Sequence, residues 1–380
     1  MEGAVLHLLR PAAGGIRRHV GALASALAGA GWRVEVAAPG DFLPQLEAAL
    51  DPAVGRHAVE VPARPSPGAL AAARRQLAAL LAGGGYDLLH LHGTAALLVA
   101  VPLLRRLPAG SRPAVAVTLH NLPGERGAWS GLGYRHLERS LLPLGALWFA
   151  ASPLVRQQAL RWWGLPAERV RVLPAPLEPP RGPAAERPSA WQSGTLFVVG
   201  TAARLVKGKG LETLLQAASH LRMRLPELRL WMVGDGPLRE PLRRQAEAAG
   251  LAGRLRWEGA VADAGPFLGA MDCVVVPSRV EALSLTALEA LARARPLVVS
   301  EAVARTGVVE PGVTGWSFPT GDAAALAARL EEVWRAPDEA AQRAARGRQR
   351  TLARHGLRQA LEEVLAGYET LRAGGRRSGG

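Results

Sequence analysis

Short runs of wholly apolar residues alternate along this chain with longer stretches whose apolar positions recur every three or four residues. Ala4 to Leu9, Val34 to Ala37, Ala58 to Val61, Leu88 to Leu91, Ala114 to Leu119, Ala146 to Ala151 and Val170 to Leu173 have the length and character of buried strands. Between them Ile16 to about Ala30, Ala69 to Leu81, Ala95 to Arg106 and Leu154 to Trp163 carry the helical period. A strand that is apolar on both faces needs cover on both faces, so the alternation predicts a parallel sheet flanked by helices. A proline-rich stretch from Pro174 to Gly194 interrupts it. The pattern then restarts with Thr195 to Val199, Leu228 to Val233, Leu255 to Trp257, Cys273 to Val276 and Leu297 to Val299, predicting a second sheet of the same kind.

The expected organisation is therefore α/β with two doubly wound domains, residues 1–176 and 195–355, joined by a hinge at 177–194. A C-terminal helix over 356–373 is expected to pack back on the first domain, and the tail 374–380 to be disordered. A chain of 380 residues can bury two cores. The lone cysteine, Cys273, falls in an apolar run and excludes an intramolecular disulfide. No run approaches the roughly 20 apolar residues of a membrane span, and Glu2 stands where a signal peptide would carry positive charge. A cytoplasmic location is expected.

The formal charge of +14 raises nucleic acid or an anionic membrane as partners. The excess is even, +7 in residues 1–180 and +7 in the remainder. An even spread without zinc-finger spacing or RNA-binding aromatics argues against nucleic acid, and leaves a diffuse attraction to lipid headgroups on the inner face of a membrane. Six Arg and no acid occupy 343–358, read as a solvated basic face with a membrane-facing strip as the alternative.

Of 46 basic residues only Lys207 and Lys209 are lysine. Both lie in Gly200-Thr-Ala-Ala-Arg-Leu-Val-Lys-Gly-Lys-Gly210, between a strand and the helical Leu211 to Ala218. A glycine-rich turn with Arg204 and Lys209 ahead of a helix N-terminus suits an anion; a plain βα turn with solvated cations is the alternative. Gly14-Gly15, after the first strand, is a second place where backbone can approach a phosphate. His92 and His120 stand at strand ends, where open parallel sheets bind ligands, although a lone histidine there is more often a satisfied structural group. Gly234-Asp-Gly-Pro237 reads as a structural turn. Glu281 lies in the loop after Pro277-Ser278 and Glu289 about one turn into the following helix, so two acceptors sit at different depths below a helix start.

Taken together, Gly14-Gly-Ile-Arg-Arg-His19, Asp87-Leu-Leu-His-Leu-His92, Val117-Thr-Leu-His120, Arg204-Leu-Val-Lys-Gly-Lys-Gly210, Val233-Gly-Asp-Gly-Pro237 and Glu281-x7-Glu289 resemble the family-4 retaining glycosyltransferases over nearly the whole chain. The resemblance implies the GT-B fold, two Rossmann-like domains facing a central cleft, and transfer of a hexose or related sugar from a nucleoside-diphosphate sugar. It implies that Arg204 and Lys209 hold the donor diphosphate, Glu281 the transferred sugar and Glu289 the ribose. Gly14, Gly15, Ser284, Leu285 and Thr286 complete the donor site, and His120 belongs to the reaction centre. Catalytic roles thus fall to Arg204, Lys209, Glu281 and His120. The implied acceptor is a sugar, a lipid-linked glycan or a small molecule, in cell-envelope glycan biosynthesis. Without an Asp-x-Asp pair, no metal and no other cofactor is expected. Family members usually carry Gly and then Phe-Pro after the first glutamate; here stand Ala282, Leu283 and Ser284. The alternative function is a nucleotide- or sugar-binding protein of the same fold without turnover.

Overall fold

The structure is a computed structural model that describes residues 2–11, 15–47, 49–122, 128–180, 182–192 and 195–377. The chain divides into two compact units, 1–176 with 355–380, and 177–354.

In the first unit seven parallel strands, β1 (Ala4–Leu9), β2 (Arg33–Ala38), β3 (Gly55–Ala58), β4 (Leu88–His92), β5 (Ala114–Leu119), β6 (Leu147–Ala150) and β7 (Val170–Val172), lie in the order β3-β2-β1-β4-β5-β6-β7. The order reverses direction between β1 and β4, which opens a crevice beyond their C-terminal ends. β1 is buried throughout, and the helix Gly15–Gly29 covers it with Val20, Leu23, Ala24 and Leu27. The third strand lies three residues earlier than the apolar run Ala58 to Val61 suggests. Gly55–Ala58 alternates half-buried and exposed positions at the sheet edge, where pairing with β2 needs no apolar face, while Val59 and Val61 are buried just beyond it.

The C-terminal helix Leu357–Arg377 belongs to this first unit and presents Ala360, Val364, Tyr368 and Leu371 to its core. Their spacing of four, four and three makes one helical stripe. A Cβ at Gly367 would crowd the Phe149 ring, so glycine there lets the helix lie close to β6. The tail expected to be disordered begins at Gly374, whereas the helix runs on across Gly374 and Gly375 through Arg377; residues 378–380 lie outside the described residues.

The second unit holds β8 (Phe197–Ala202), β9 (Leu228–Val233), β10 (Leu255–Gly259), β11 (Cys273–Val276), β12 (Leu297–Ser300) and β13 (Trp316–Phe318), in the order β10-β9-β8-β11-β12-β13. All are parallel, and the reversal falls between β8 and β11. β13, three residues long, is too short for pattern reading, yet its Trp316 and Phe318 are buried. The stretch read as a hinge is fastened to this unit. Arg187 pairs with Asp272 at 2.6 Å, Ala185 N–H bonds the Pro266 carbonyl, and Trp191 meets Trp231 edge-on. Among the six arginines of 343–358, Arg343 lies over the Trp316 ring, Arg346 donates to the Val313 carbonyl and Arg350 pairs with Glu310. With Arg358 also 3.9 Å from Glu362, four of the six are spent on the protein itself. Among the described residues no helix is long and apolar enough to cross a membrane.

Candidate functional site

In the second unit the two loops beyond β8 and β11 meet at the reversal of strand order. Leu205 pins the first loop: its N–H bonds the Asp235 carbonyl and its own carbonyl accepts from Leu238 N–H. Gly234, at φ 124°, permits this, since a Cβ there would overlap the Ala203 carbonyl oxygen. The Gly-Asp-Gly turn is therefore packing, in keeping with its sequence reading. Gly210 caps the helix Leu211–Leu221 at φ 66°, and a Cβ there would overlap the Pro277 carbonyl oxygen. Arg279 N–H completes the seam on the Gly208 carbonyl at 2.7 Å.

This seam brings Nζ of Lys209 within 2.6 Å of Oε2 of Glu281. Two residues separated by 72 positions, each expected at the site, form a partly buried ion pair. Arg204 and Lys207 are exposed, and the Arg204 guanidinium has no partner among the described residues. Ser284 caps the helix Leu285–Ala292, accepting from Ala287 N–H at 3.2 Å, and Thr286 donates its hydroxyl to the Ala202 carbonyl at 2.7 Å. Both hydroxyls thus serve the fold, and what Ser284, Leu285 and Thr286 can offer a ligand is first-turn backbone N–H that has no acceptor within the helix. Glu289 is buried one turn into that helix, behind the loop of Glu281.

In the first unit the crevice is lined by Arg10, Ile16, His92, Gly93, Thr94 and Asn121, among others. Gly15 opens the helix over β1, whereas Gly14 lies outside the described residues. His120, beyond β5, is half-buried and joins a cluster that the sequence reading did not assemble. His7 on β1 and His90 on β4 are register partners, with His92 two residues further along β4. Nδ1 of His7 lies 2.9 Å from Nε2 of His92, and Nδ1 of His92 lies 3.1 Å from Nε2 of His120. The His90 ring stacks on His92 with centroids 4.4 Å apart, but its hydrogen bonds go elsewhere, Nδ1 on the Tyr368 hydroxyl and Nε2 on the Thr118 hydroxyl, both at 2.7 Å. His19, from the helix over β1, sets its ring edge-on to His120. The available signal was a histidine at one matching position in two neighbouring apolar strands.

Burial holds these rings neutral. It pushes His7 down to about 3 and His19 to about 4, and it lowers His90, His92 and His120 well below the ordinary 6.5, with neighbouring imidazoles adding to the effect. Neutral imidazoles are metal ligands, and ligand atoms of His7, His90 and His92 fall within 4.8 Å of one another. Five of their six ring nitrogens are already engaged in hydrogen bonds, leaving only Nε2 of His7. A metal would have to break that network, so the trio is a hydrogen-bonded core and not a formed cage.

Two family models cover most of the chain: Glycosyltransferase Family 4 matches residues 13–180 and Glycosyl transferases group 1 matches residues 186–350. Among curated relatives, the lipopolysaccharide core biosynthesis glycosyltransferase LpsE of Rhizobium meliloti is 35% identical over 136 residues, 36% of this chain and 39% of that protein. The alpha-D-kanosaminyltransferase of Streptomyces kanamyceticus is 30% identical over 195 residues, 48% of this chain and 49% of that one. The chain thus spans half or less of the length of these relatives. Similar solved structures include HepE of Anabaena in complex with UDP-glucose, TM-score 0.81 at 21% identity, covering 97% of this chain and 100% of that one. The sucrose-phosphate synthase of Thermosynechococcus elongatus reaches TM-score 0.81 at 22% identity, covering 98% and 100%. These likenesses establish the fold of two parallel-sheet Rossmann-like domains, and with the paired family models they show that the chain belongs to the GT-B glycosyltransferases of group 1 and family 4.

Proposed function

We propose that the protein is a retaining glycosyltransferase that moves a hexose or related sugar from a nucleoside-diphosphate sugar to a sugar or lipid-linked acceptor. The observation that carries this is the Lys209–Glu281 pair at the reversal of the second sheet, with Arg204 exposed on the same loop. Breaking a sugar–phosphate bond loads negative charge on the departing diphosphate, and cations fixed in place stabilise it without reorganising. A diphosphate would replace Glu281 as the partner of Lys209, leaving that carboxylate to accept from sugar hydroxyls. Glu289, deeper under the same helix start, would take the ribose. The named relatives are a lipopolysaccharide core biosynthesis glycosyltransferase and an alpha-D-kanosaminyltransferase, and HepE was crystallised with UDP-glucose; both support the donor class. A lipid-linked acceptor would be met at the inner face of a membrane, where the spread positive charge favours contact. With two cations facing the diphosphate, transfer is proposed to need no divalent metal.

Thermal unfolding in a panel of nucleoside diphosphates and their sugars tests the reading, since a ligand at about 100 times its Kd adds about 2.7 kcal/mol. At least one nucleoside diphosphate should raise the transition, and none doing so would sink the proposal. Turnover with the responding donor should survive chelator and give a product with the donor's anomeric configuration. A responding donor that is never turned over would instead mark a binding protein.

A further inference from the structure

His7, His92 and His120 touch in series, and the geometry of the contacts determines what they can do. The ring centroids of His7 and His92 are 5.2 Å apart with planes inclined by 18°, and those of His92 and His120 are 5.4 Å apart at 26°. Faces in contact would bring the centroids closer; rings this far apart, nearly coplanar and with nitrogens at 2.9 and 3.1 Å, meet edge to edge. Each N–H therefore lies near the plane of the lone pair it meets, as a hydrogen bond requires.

Neutral imidazole carries one proton on two nitrogens. Three rings hold three protons, and each of the two contacts takes one, since two would clash and none would set lone pair against lone pair. His92 can donate at one end only, so the direction is uniform along the series. The third proton sits either on Nε2 of His7 or on Nδ1 of His120. Nε2 of His7 is buried and has no partner, while Nδ1 of His120 is the free end of a half-buried residue, without a partner among the described residues. A buried N–H with no acceptor is the rarer and costlier of the two arrangements.

We propose that His7 and His92 are positioning residues that fix the tautomer of His120, so that its Nδ1–H is presented as a hydrogen-bond donor to a ligand oxygen at the end of β5. The ligand is a sugar hydroxyl or a phosphate oxygen, either of which accepts such a bond. Nε2 of His7 leads nowhere, so the series sets polarity and conducts no proton out of the site. This rests on the proposed function only in assigning His120 to the reaction centre; the tautomer itself is read without turnover.

Nitrogen-15 spectra of histidine-labelled protein at pH 7 distinguish the two tautomers of each ring. The expected result is Nδ1–H with bare Nε2 on His7, His92 and His120 alike. A proton on Nε2 of His120, tautomers of mixed direction, or a charged ring in the series would each overturn the inference. In His92→Leu, His120 should lose its single tautomer and begin to titrate separately, with kcat falling about ten-fold or more and donor KM little changed. If that variant does not fold, His92→Gln keeps a polar link of similar reach, its amide oxygen accepting from His7 and its N–H donating to Nε2 of His120, and should leave His120 as the Nδ1–H tautomer; a proton on Nε2 of His120 in that variant would equally count against the proposal. Spectra as expected with activity unaffected in the variant would retain the tautomer and refute its role in transfer.

Discussion

Glu138 is a carboxyl inside the first unit, 1% exposed on the helix Ala128–Arg139, and Nε1–H of Trp148 on β6 donates to its Oε2 at 2.7 Å. One indole N–H is a small return for removing a charge from water, and burial pushes this carboxyl up from 4.5 to about 8. In the unfolded chain it ionises near 4.5, so between there and about 8 the folded state binds the extra proton. Stability from this group is complete below the lower value and is lost as pH rises through the upper one. At about 1.36 kcal/mol per unit, the loss across that window is about 5 kcal/mol. Glu138→Gln keeps an oxygen for the indole and has nothing to ionise. The two proteins should therefore unfold alike in denaturant near pH 4.5, and the variant should gain on the wild type by up to about 5 kcal/mol by pH 9. Taking the difference between the proteins at each pH cancels the titration of other groups. Parallel stability curves from pH 4.5 to 9 would refute the reasoning, because they would mean that the carboxyl is solvated or paired when ionised.

Lys209→Ala should lower kcat about 10²–10³-fold, the usual loss of one preorganised donor, while Lys207→Ala, on the exposed side of the turn, should change little. Lys209→Arg should also be impaired, since a planar fork cannot take the position of a point charge beside Glu281 and the Pro277 backbone; steady-state rates equal to wild type would show that the lysine has no special chemistry. Gly210→Ala should force apart the two loops of the second unit, abolishing the donor-induced rise in the unfolding transition, and an undiminished rise would show that the seam at Pro277 is not what aligns the site.

Periodicity sufficed for most of the strands because these sheets are buried on both faces and the apolar runs record that directly. It failed where burial is one-sided or the element is short, as in the polar edge strand Gly55–Ala58 and the three residues of β13. The helix Ala128–Arg139 also escaped notice, with Gly131 and Gly133 and few apolar residues diluting its stripe. Lys209 and Glu281 were legible as chemistry, standing out by type and by place at strand ends. Their pairing was not, because it depends on β8 and β11 being neighbours, which is a property of strand order and not of either segment.

The histidines make the same point more sharply. His92 and His120 were visible one at a time, and at that level a lone histidine at a strand end is most simply a satisfied structural group. Register changes the question: β1 beside β4 sets His7 against His90, and β4 beside β5 sets His92 against Thr118, two positions before His120. Once three neutral rings touch in series, the proton on each constrains the next, and a property of His120 comes to depend on His7, which is separated from it by the width of two strand pairings. Hydrogen bonds to Tyr368 and Thr118 keep His90 out of that series, and Tyr368 comes from the C-terminal helix. That helix thereby does more than cover the sheet. Without its hydroxyl, Nδ1 of His90 would be a buried nitrogen in need of a partner, with the ring of His7 only 5.0 Å away between centroids. The return of the chain to its first unit thus seals the neighbouring histidine and leaves the direction of the other three to be set by the buried end at His7.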